Sequence, residues 1–197
     1  MATEYSEVKI CNLALVQIGE TPIPSLEENS KKARHLKTLF PMVRDKLLRS
    51  HPWGFAKQRV YLAEDSVSPI FEYDKQFLLP SDWLKILQIE CQDRYVREGN
   101  KILTNASKVG LLYIFRNEDV NSWDSSFVNL MAKALSVDLA WSLKGSRTLR
   151  ADLTQEYRVD LALAMHNSAY DSTPLHDMEY EGEGRLVANR SGRIESY

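Results

Sequence analysis

The sequence contains little cysteine, no long apolar segment and almost no net charge. Its two cysteines, Cys11 and Cys91, each lie within an apolar run, so we expect free thiols that pack as small hydrophobic side chains rather than a disulfide. No run approaches the roughly 18 apolar residues that a membrane span requires, and we expect no membrane association. The N-terminus lacks the basic start and apolar centre of a secretory signal, which favours a cytoplasmic origin.

The net charge of -2 restricts the ways in which this chain can act on DNA. A domain that holds DNA by neutralising many phosphates is usually strongly basic. The slightly acidic composition therefore argues against such a domain, but it does not exclude a protein that merely surrounds DNA.

The sequence also lacks the common signatures of catalysis and metal binding. It has no G-x-S-x-G motif, no phosphate-binding glycine loop, no H-E-x-x-H motif and no C-x-x-C pair. Its four histidines lie far apart, and none is spaced with a cysteine or carboxylate as metal ligands usually are. We therefore expect a protein that is not an enzyme and that has no catalytic residue, no metal site and no cofactor.

Apolar residues recur at helical spacing in four segments. Gly19 supplies a natural end for the first of them. Ser25 and Glu28 have the spacing of a capping box that opens the second, and Pro41 should kink that helix without ending it. The predicted helices span 6–18, from the Ser25 cap to His51, 124–144 and 146–170.

The middle of the chain changes to short runs rich in β-branched and aromatic residues, which favour strands. The predicted strands span 57–63, 84–91, 95–98, 101–104 and 109–115, and Gly99-Asn100 suits a tight hairpin turn between two of them. The predicted fold class is mainly α: a helical bundle of about four helices with a small antiparallel β insertion and an extended C-terminal arm. The bundle domain is predicted at 1–171, with the β insertion at about 57–116, and the arm at 172–197.

Residues 172–197 have few apolar side chains and segregated charges. The acidic residues come first and the arginines follow: Asp177, Glu179, Glu181 and Glu183, then Arg185, Arg190 and Arg193. Such a segment buries too little surface to offset the entropy cost of becoming ordered by itself. We expect it either to be disordered or to be ordered by a partner.

An acidic residue, Asp138, is predicted on an apolar helix face. It lies nine residues after Asn129, about 180° around an ideal helix, and so opposite the polar stripe of that helix. A carboxylate in that position needs a hydrogen-bonding partner, an opposite charge or an interface. Three interpretations stay open: a core aspartate satisfied by backbone donors or an arginine, a salt bridge across a subunit boundary, and a catalytic acid.

The segment HPWGFA at 51–56 admits two interpretations. Its aromatic rings could stack on nucleic-acid bases, or they could anchor the end of the second helix on the sheet. Lys57 and Arg59 alone do not make a basic groove, which favours buried anchoring.

Several segments, taken in order, are similar to those of a known family. They are ICNLAL (10–15), IG (18–19), IPSLEE (23–28), RDKLL (44–48), HPWGFA (51–56), LPSDW (79–83) and YVREGNKIL (95–103). The pattern resembles the tail tubular protein A group, which are the gatekeeper-type head-to-tail adaptors of short-tailed bacteriophages. The resemblance covers roughly residues 5–170 and consists of packing and turn residues.

The resemblance implies a structural protein of the virion tail. It implies a ring of twelve copies at the head–tail junction, between the portal protein and a tail nozzle of the tail tubular protein B type, with tail fibres as further neighbours. Genomic DNA would pass through the channel of this ring during ejection. It also implies that the C-terminal segment docks on the portal, and by position the docking residues would be Arg185, Leu186, Val187, Arg190, Arg193, Ile194 and Tyr197.

Two other function classes compete with this expectation. A virion-associated cell-wall hydrolase would need an acid with a raised pKa, for which Asp138 is the candidate, and the same residue is our candidate for a subunit interface. A helical nucleic-acid-binding regulator would need a basic helix face, and we expect the chain to lack one.

Overall fold

The computed structural model describes residues 5–172, in which helices precede and follow a β-rich middle segment. The helices are α1 (Glu7–Gln17), α2 (Lys31–Ser50), α3 (Ser125–Ser142) and α4 (Arg147–Ser172). The strands are β1 (Lys57–Tyr61), β2 (Lys75–Leu78), β3 (Trp83–Cys91), β4 (Tyr95–Glu98), β5 (Lys101–Thr104) and β6 (Val109–Phe115).

Within the described residues the strands form two three-stranded antiparallel sheets. The strand order is β1-β6-β3 in the first sheet and β2-β5-β4 in the second. In the β4–β5 hairpin Tyr95 pairs with Thr104 and Glu98 pairs with Lys101. The turn between them contains Gly99, whose φ of 56° lies in the left-handed region that glycine adopts without strain.

The prediction of a mainly α fold with a small β insertion is wrong. Residues 5–172 have an α/β fold, with 48% helix and 20% strand. The difference comes from β2, a strand of 4 residues that the sequence pattern did not indicate. It pairs with β5 and so extends the predicted β4–β5 hairpin into a second sheet. The strands also bury an apolar cluster separate from that of the helices, formed by Leu62, Phe77, Leu79, Ile102, Val109, Leu111 and Tyr113.

The helices share their core with one side of the first sheet. Trp53, just after α2, is fully buried and meets Phe127 of α3 edge to face, with ring centroids 5.2 Å apart. Its Nε1 donates a hydrogen bond to the Leu47 carbonyl oxygen at 3.0 Å. Trp53 is therefore buried, as predicted, but these contacts join it to α2 and α3 rather than to the sheet.

The predicted start of α2 is wrong by several residues. The helix begins after Ser30, whose Oγ accepts a hydrogen bond from the backbone N–H of Ala33 at 3.2 Å. Ser25 instead forms a local turn, because its Oγ accepts from the backbone N–H of Glu27 at 3.1 Å. The helix continues through Pro41, as predicted.

Candidate functional site

Among residues 5–172, no group of three or more histidine, cysteine, aspartate or glutamate side chains is placed to hold a metal ion. Cys11 and Cys91 are free thiols. Burial, with a contribution from Glu7, raises the pKa of the Cys11 thiol to about 12, which keeps it in the unreactive protonated form.

None of the helices in the described part of the chain combines the length and the apolar character needed to cross a membrane.

Arg44 of α2 is charged and buried, with only 5% of its surface exposed. Its guanidinium lies 2.9 Å from the Asp45 carboxylate and 3.0 Å from that of Glu118. Asp45 also pairs with Arg116 at 2.8 Å. This network gives the buried guanidinium two carboxylate partners and fastens α2 to the segment that follows β6.

Asp138 is half-buried on α3, beside a cavity of about 70 Å³ that α2, α3 and α4 enclose. Lys46 and Tyr157 line the same cavity, and burial together with the charge of Asp138 raises the pKa of Tyr157. Within residues 5–172 no hydrogen bond or ion pair engages the Asp138 carboxylate. The interpretation of Asp138 as a core residue held by backbone donors or an arginine therefore has no support within residues 5–172. The interpretation of Asp138 as part of a subunit interface stays a prediction.

The volume of this cavity argues against the hydrolase alternative. Small-molecule sites usually measure roughly 300–1,000 Å³, so a cavity of about 70 Å³ does not admit a sugar chain beside Asp138.

The predicted C-terminal arm lies almost entirely outside the described residues. Ser172 ends α4, and the predicted portal contacts follow it in the sequence. These are Arg185, Leu186, Val187, Arg190, Arg193, Ile194 and Tyr197. Their role stays a prediction.

A loop between β1 and β2 exposes apolar side chains to solvent. We call residues 67–73 the apolar loop. In it Ile70 is 98% exposed, Phe71 78% and Val67 63%. Isolated exposed apolar residues are common on proteins, but three within five positions form a patch of the kind that usually contacts a partner.

Polar contacts hold the base of the apolar loop. The Asp65 carboxylate accepts a hydrogen bond from Gln76 Nε2 at 3.0 Å and another from Lys101 Nζ at 2.9 Å. The bond from Lys101 is the main reason why the pKa of Asp65 lies below its ordinary value. These contacts fasten the loop to β2 and β5, so the loop leaves the sheet in a defined direction.

The end of the apolar loop has an unusual backbone. Glu72 has a φ of 72°, a region that residues with a Cβ rarely adopt. The backbone N–H of Tyr73 donates to the Phe71 carbonyl at 2.9 Å, which closes a γ-turn around Glu72. Strain of this kind persists only where the surrounding structure imposes it, so the fold holds the end of the apolar loop in this turn.

A second apolar surface lies on the outer side of α4. Val159, Leu163 and Tyr170 are each more than half exposed. Their spacing of four and seven residues places them on one side of the helix. We call them the α4 stripe.

A third surface is basic. A groove of about 640 Å³ follows the first part of α4, and Trp141, Arg147, Arg150 and Arg158 line it. The guanidinium of Arg147 lies 5.6 Å from the centroid of the Trp141 ring. We call this site the arginine groove. Among the described residues none pairs with these three arginines through an ion pair.

The expectation that the chain lacks a basic helix face is wrong for α4. At 100° per residue the three arginines fall within an arc of about 80°. The acidic residues of the same helix face another way, and two of them, Asp160 and Glu156, pair with Lys133 of α3 at 2.6 Å and 3.5 Å. The basic side is therefore left without neutralising neighbours.

The described residues thus present three contact surfaces: the apolar loop, the α4 stripe and the arginine groove. The chain matches no known protein-family model and no curated protein.

Proposed function

We propose that this chain is a structural, non-enzymatic subunit of the tail of a short-tailed bacteriophage. Copies form a ring at the head–tail junction and join the portal protein to the tail nozzle. Genomic DNA passes through the ring without specific binding. The placement in the tail, the twelve copies and the identity of the partners derive from the resemblance of the sequence segments to head-to-tail adaptors.

The observation that carries the proposal is the exposure of apolar side chains on two separate surfaces. A ring of identical copies is built from heterologous contacts, in which each copy uses two different faces. The apolar loop and the α4 stripe belong to different elements of the chain. In water such exposure is unfavourable, so a partner that covers these side chains would stabilise the assembly.

The test is the mass of the particle in solution. Mass photometry of the purified chain, alone and with its portal protein, is expected to detect a ring in at least one of the two samples. A chain that stays monomeric in both would overturn the proposal.

Loop variants make the test specific to the proposed surface. Burying an apolar side chain stabilises a contact by about 1.5–3 kcal/mol, so the double variant Ile70→Ser and Phe71→Ser should weaken assembly by more than about tenfold. Met42→Ser is the matched control, because Met42 is 65% exposed but lies alone on α2. Equal effects of the two changes would show that the apolar loop has no special role.

A further inference from the structure

The arginine groove has the chemistry of a carboxylate-binding site. Guanidinium groups bind carboxylates through paired, charge-assisted hydrogen bonds. Arg147, Arg150 and Arg158 lack ion-pair partners among residues 5–172, although the chain has 27 acidic and only 25 basic residues. A ligand for this groove should therefore carry several negative charges in a row.

The chain contains such a ligand in its own sequence. We call residues 177–183 the acidic segment; its carboxylates occupy alternate positions, at Asp177, Glu179, Glu181 and Glu183. Alternate side chains of an extended backbone point to the same side, so these carboxylates would span about 20 Å. The arginines span eleven residues of helix, about 16.5 Å. The two rows of charge match in length as well as in sign.

The acidic segment of the same copy reaches this groove poorly. Arg147 lies about 37 Å from Ser172 along α4, given a rise of 1.5 Å per residue. Glu183 is eleven residues beyond Ser172 and reaches at most about 40 Å when fully extended. Arg158 lies about 21 Å from Ser172, and Asp177, five residues beyond Ser172, reaches at most about 18 Å. The same copy could therefore bring only its later carboxylates to the groove, whereas a second copy can align all four with the arginines.

We propose that the arginine groove of one copy binds the acidic segment of a second copy. A nucleic acid is the less suitable ligand, because strand-binding grooves use several aromatic rings for successive bases. This groove offers one ring, Trp141, and Arg147 already contacts it. The proposal rests on the proposed function to the extent that copies must assemble.

Two full-length variants test the proposal by complementation. The groove variant carries Arg147→Gln, Arg150→Gln and Arg158→Gln; the segment variant carries Asp177→Asn, Glu179→Gln, Glu181→Gln and Glu183→Gln. Each alone should associate more than about tenfold more weakly than the unaltered chain in sedimentation velocity. Their mixture should recover association, because the groove variant keeps an acidic segment and the segment variant keeps a groove. A mixture that recovers nothing would overturn the proposal.

A charge-matched variant excludes a general electrostatic effect. The triple change Lys31→Gln, Arg34→Gln and Arg59→Gln removes the same three positive charges from exposed positions outside the groove. It should associate as the unaltered chain does. A loss equal to that of the groove variant would show that net charge, rather than the groove, controls association.

A peptide assay separates this proposal from the proposed function. A fluorescent peptide of residues 173–185 should bind the segment variant, whose groove is unoccupied, and should not bind a chain that carries both sets of changes. If the unaltered chain never assembles, the proposed function fails and peptide binding still decides the role of the groove. Binding of a DNA oligonucleotide that depends on the arginines, with no peptide binding, would overturn the proposal in favour of a nucleic-acid site.

Discussion

Replacement of Trp53 by phenylalanine tests whether this side chain joins the end of α2 to α3. Trp53 is fully buried, contacts Phe127 of α3 and donates a hydrogen bond to the carbonyl of Leu47 in α2. The smaller ring keeps an aromatic contact with α3. It loses the hydrogen bond and leaves part of the packed volume empty.

The expected loss is about 2–3 kcal/mol of unfolding free energy. The hydrogen bond contributes about 1 kcal/mol, and no more, because the Leu47 carbonyl also accepts from Ser50 Oγ at 2.7 Å. The substitution removes two ring carbons, and about 0.8 kcal/mol for each buried carbon gives roughly 1.6 kcal/mol. In a domain of this size the sum lowers Tm by about 5–10 °C.

Urea unfolding followed by far-UV circular dichroism measures this loss without relying on tryptophan fluorescence. Trp141→Phe is the control, since it is the same substitution at a side chain that is 48% exposed. We expect the control to change the unfolding free energy by less than about 0.5 kcal/mol. Equal losses in the two variants would refute the reasoning, because burial would then not explain the effect.

Three further predictions concern titratable groups. A thiol reagent should modify half-buried Cys91 much faster than Cys11, whose pKa burial raises to about 12; comparable rates in the folded protein would contradict the buried position of Cys11. Burial and the neighbouring Asp82 raise the pKa of Tyr113 from 10.0 to about 12, so the folded state keeps this proton longer than the unfolded state does and loses stability as the pH rises through that window. Tyr113→Phe should lose less stability than the unaltered chain in urea titrations over the same range, and an identical loss would contradict the assignment. Asp138→Asn should bring the pKa of Tyr157 closer to its ordinary value in a spectrophotometric titration and, under the interface prediction, should weaken assembly at an unchanged urea midpoint; unchanged assembly would remove the interface role.

The helices were predictable where local sequence determines their ends. Gly19, with a φ of 68°, ends the α1 region in the manner expected of glycine. The start of α2 was not predictable in this way, because Ser25 and Ser30 are both plausible caps. The Asn12 side chain binds the N–H and the carbonyl of Ile23 at 2.8 Å and 2.9 Å and thereby fixes the chain outside the helix before Ser25. That contact is tertiary, and no local pattern reveals it.

The fold class was mispredicted because strand pairing is not a local property. β2 is short and begins with Lys75 and a buried polar residue, Gln76, so its apolar run is too brief to indicate a strand. The amide of Gln76 binds Asp65 and the carbonyl of Val67, which satisfies it only once the loop has folded over the strand. Pairing of Lys75 with Thr104 then builds a sheet from segments that lie far apart in sequence.

Some of the contact surfaces could have been predicted from the sequence. A helical-wheel projection of α4 would have separated its arginines from its acidic residues, which net charge alone conceals. The exposure of the apolar loop could not have been predicted, because the hydrophobicity of Ile70 and Phe71 favours burial. Only the structure shows that both side chains are exposed to solvent. The exposure of this patch depends on the path of the folded backbone, which the sequence pattern does not reveal.

The positions of the arginine groove and the acidic segment constrain the symmetry of any assembly that they form. The groove lies at the start of α4 and the acidic segment follows its end, and the 26 residues of this helix separate them by about 39 Å. A contact between two such different sites is heterologous, so each copy that accepts an acidic segment still offers its own to the next copy. Repetition of that contact builds a closed ring or an open filament, whereas a two-fold dimer would have to make two such contacts at once. In the complementation mixture each copy keeps only one half of the contact, so association should stop at a dimer, whereas the unaltered chain should form rings or filaments. An unaltered chain that stops at a dimer would contradict this geometry.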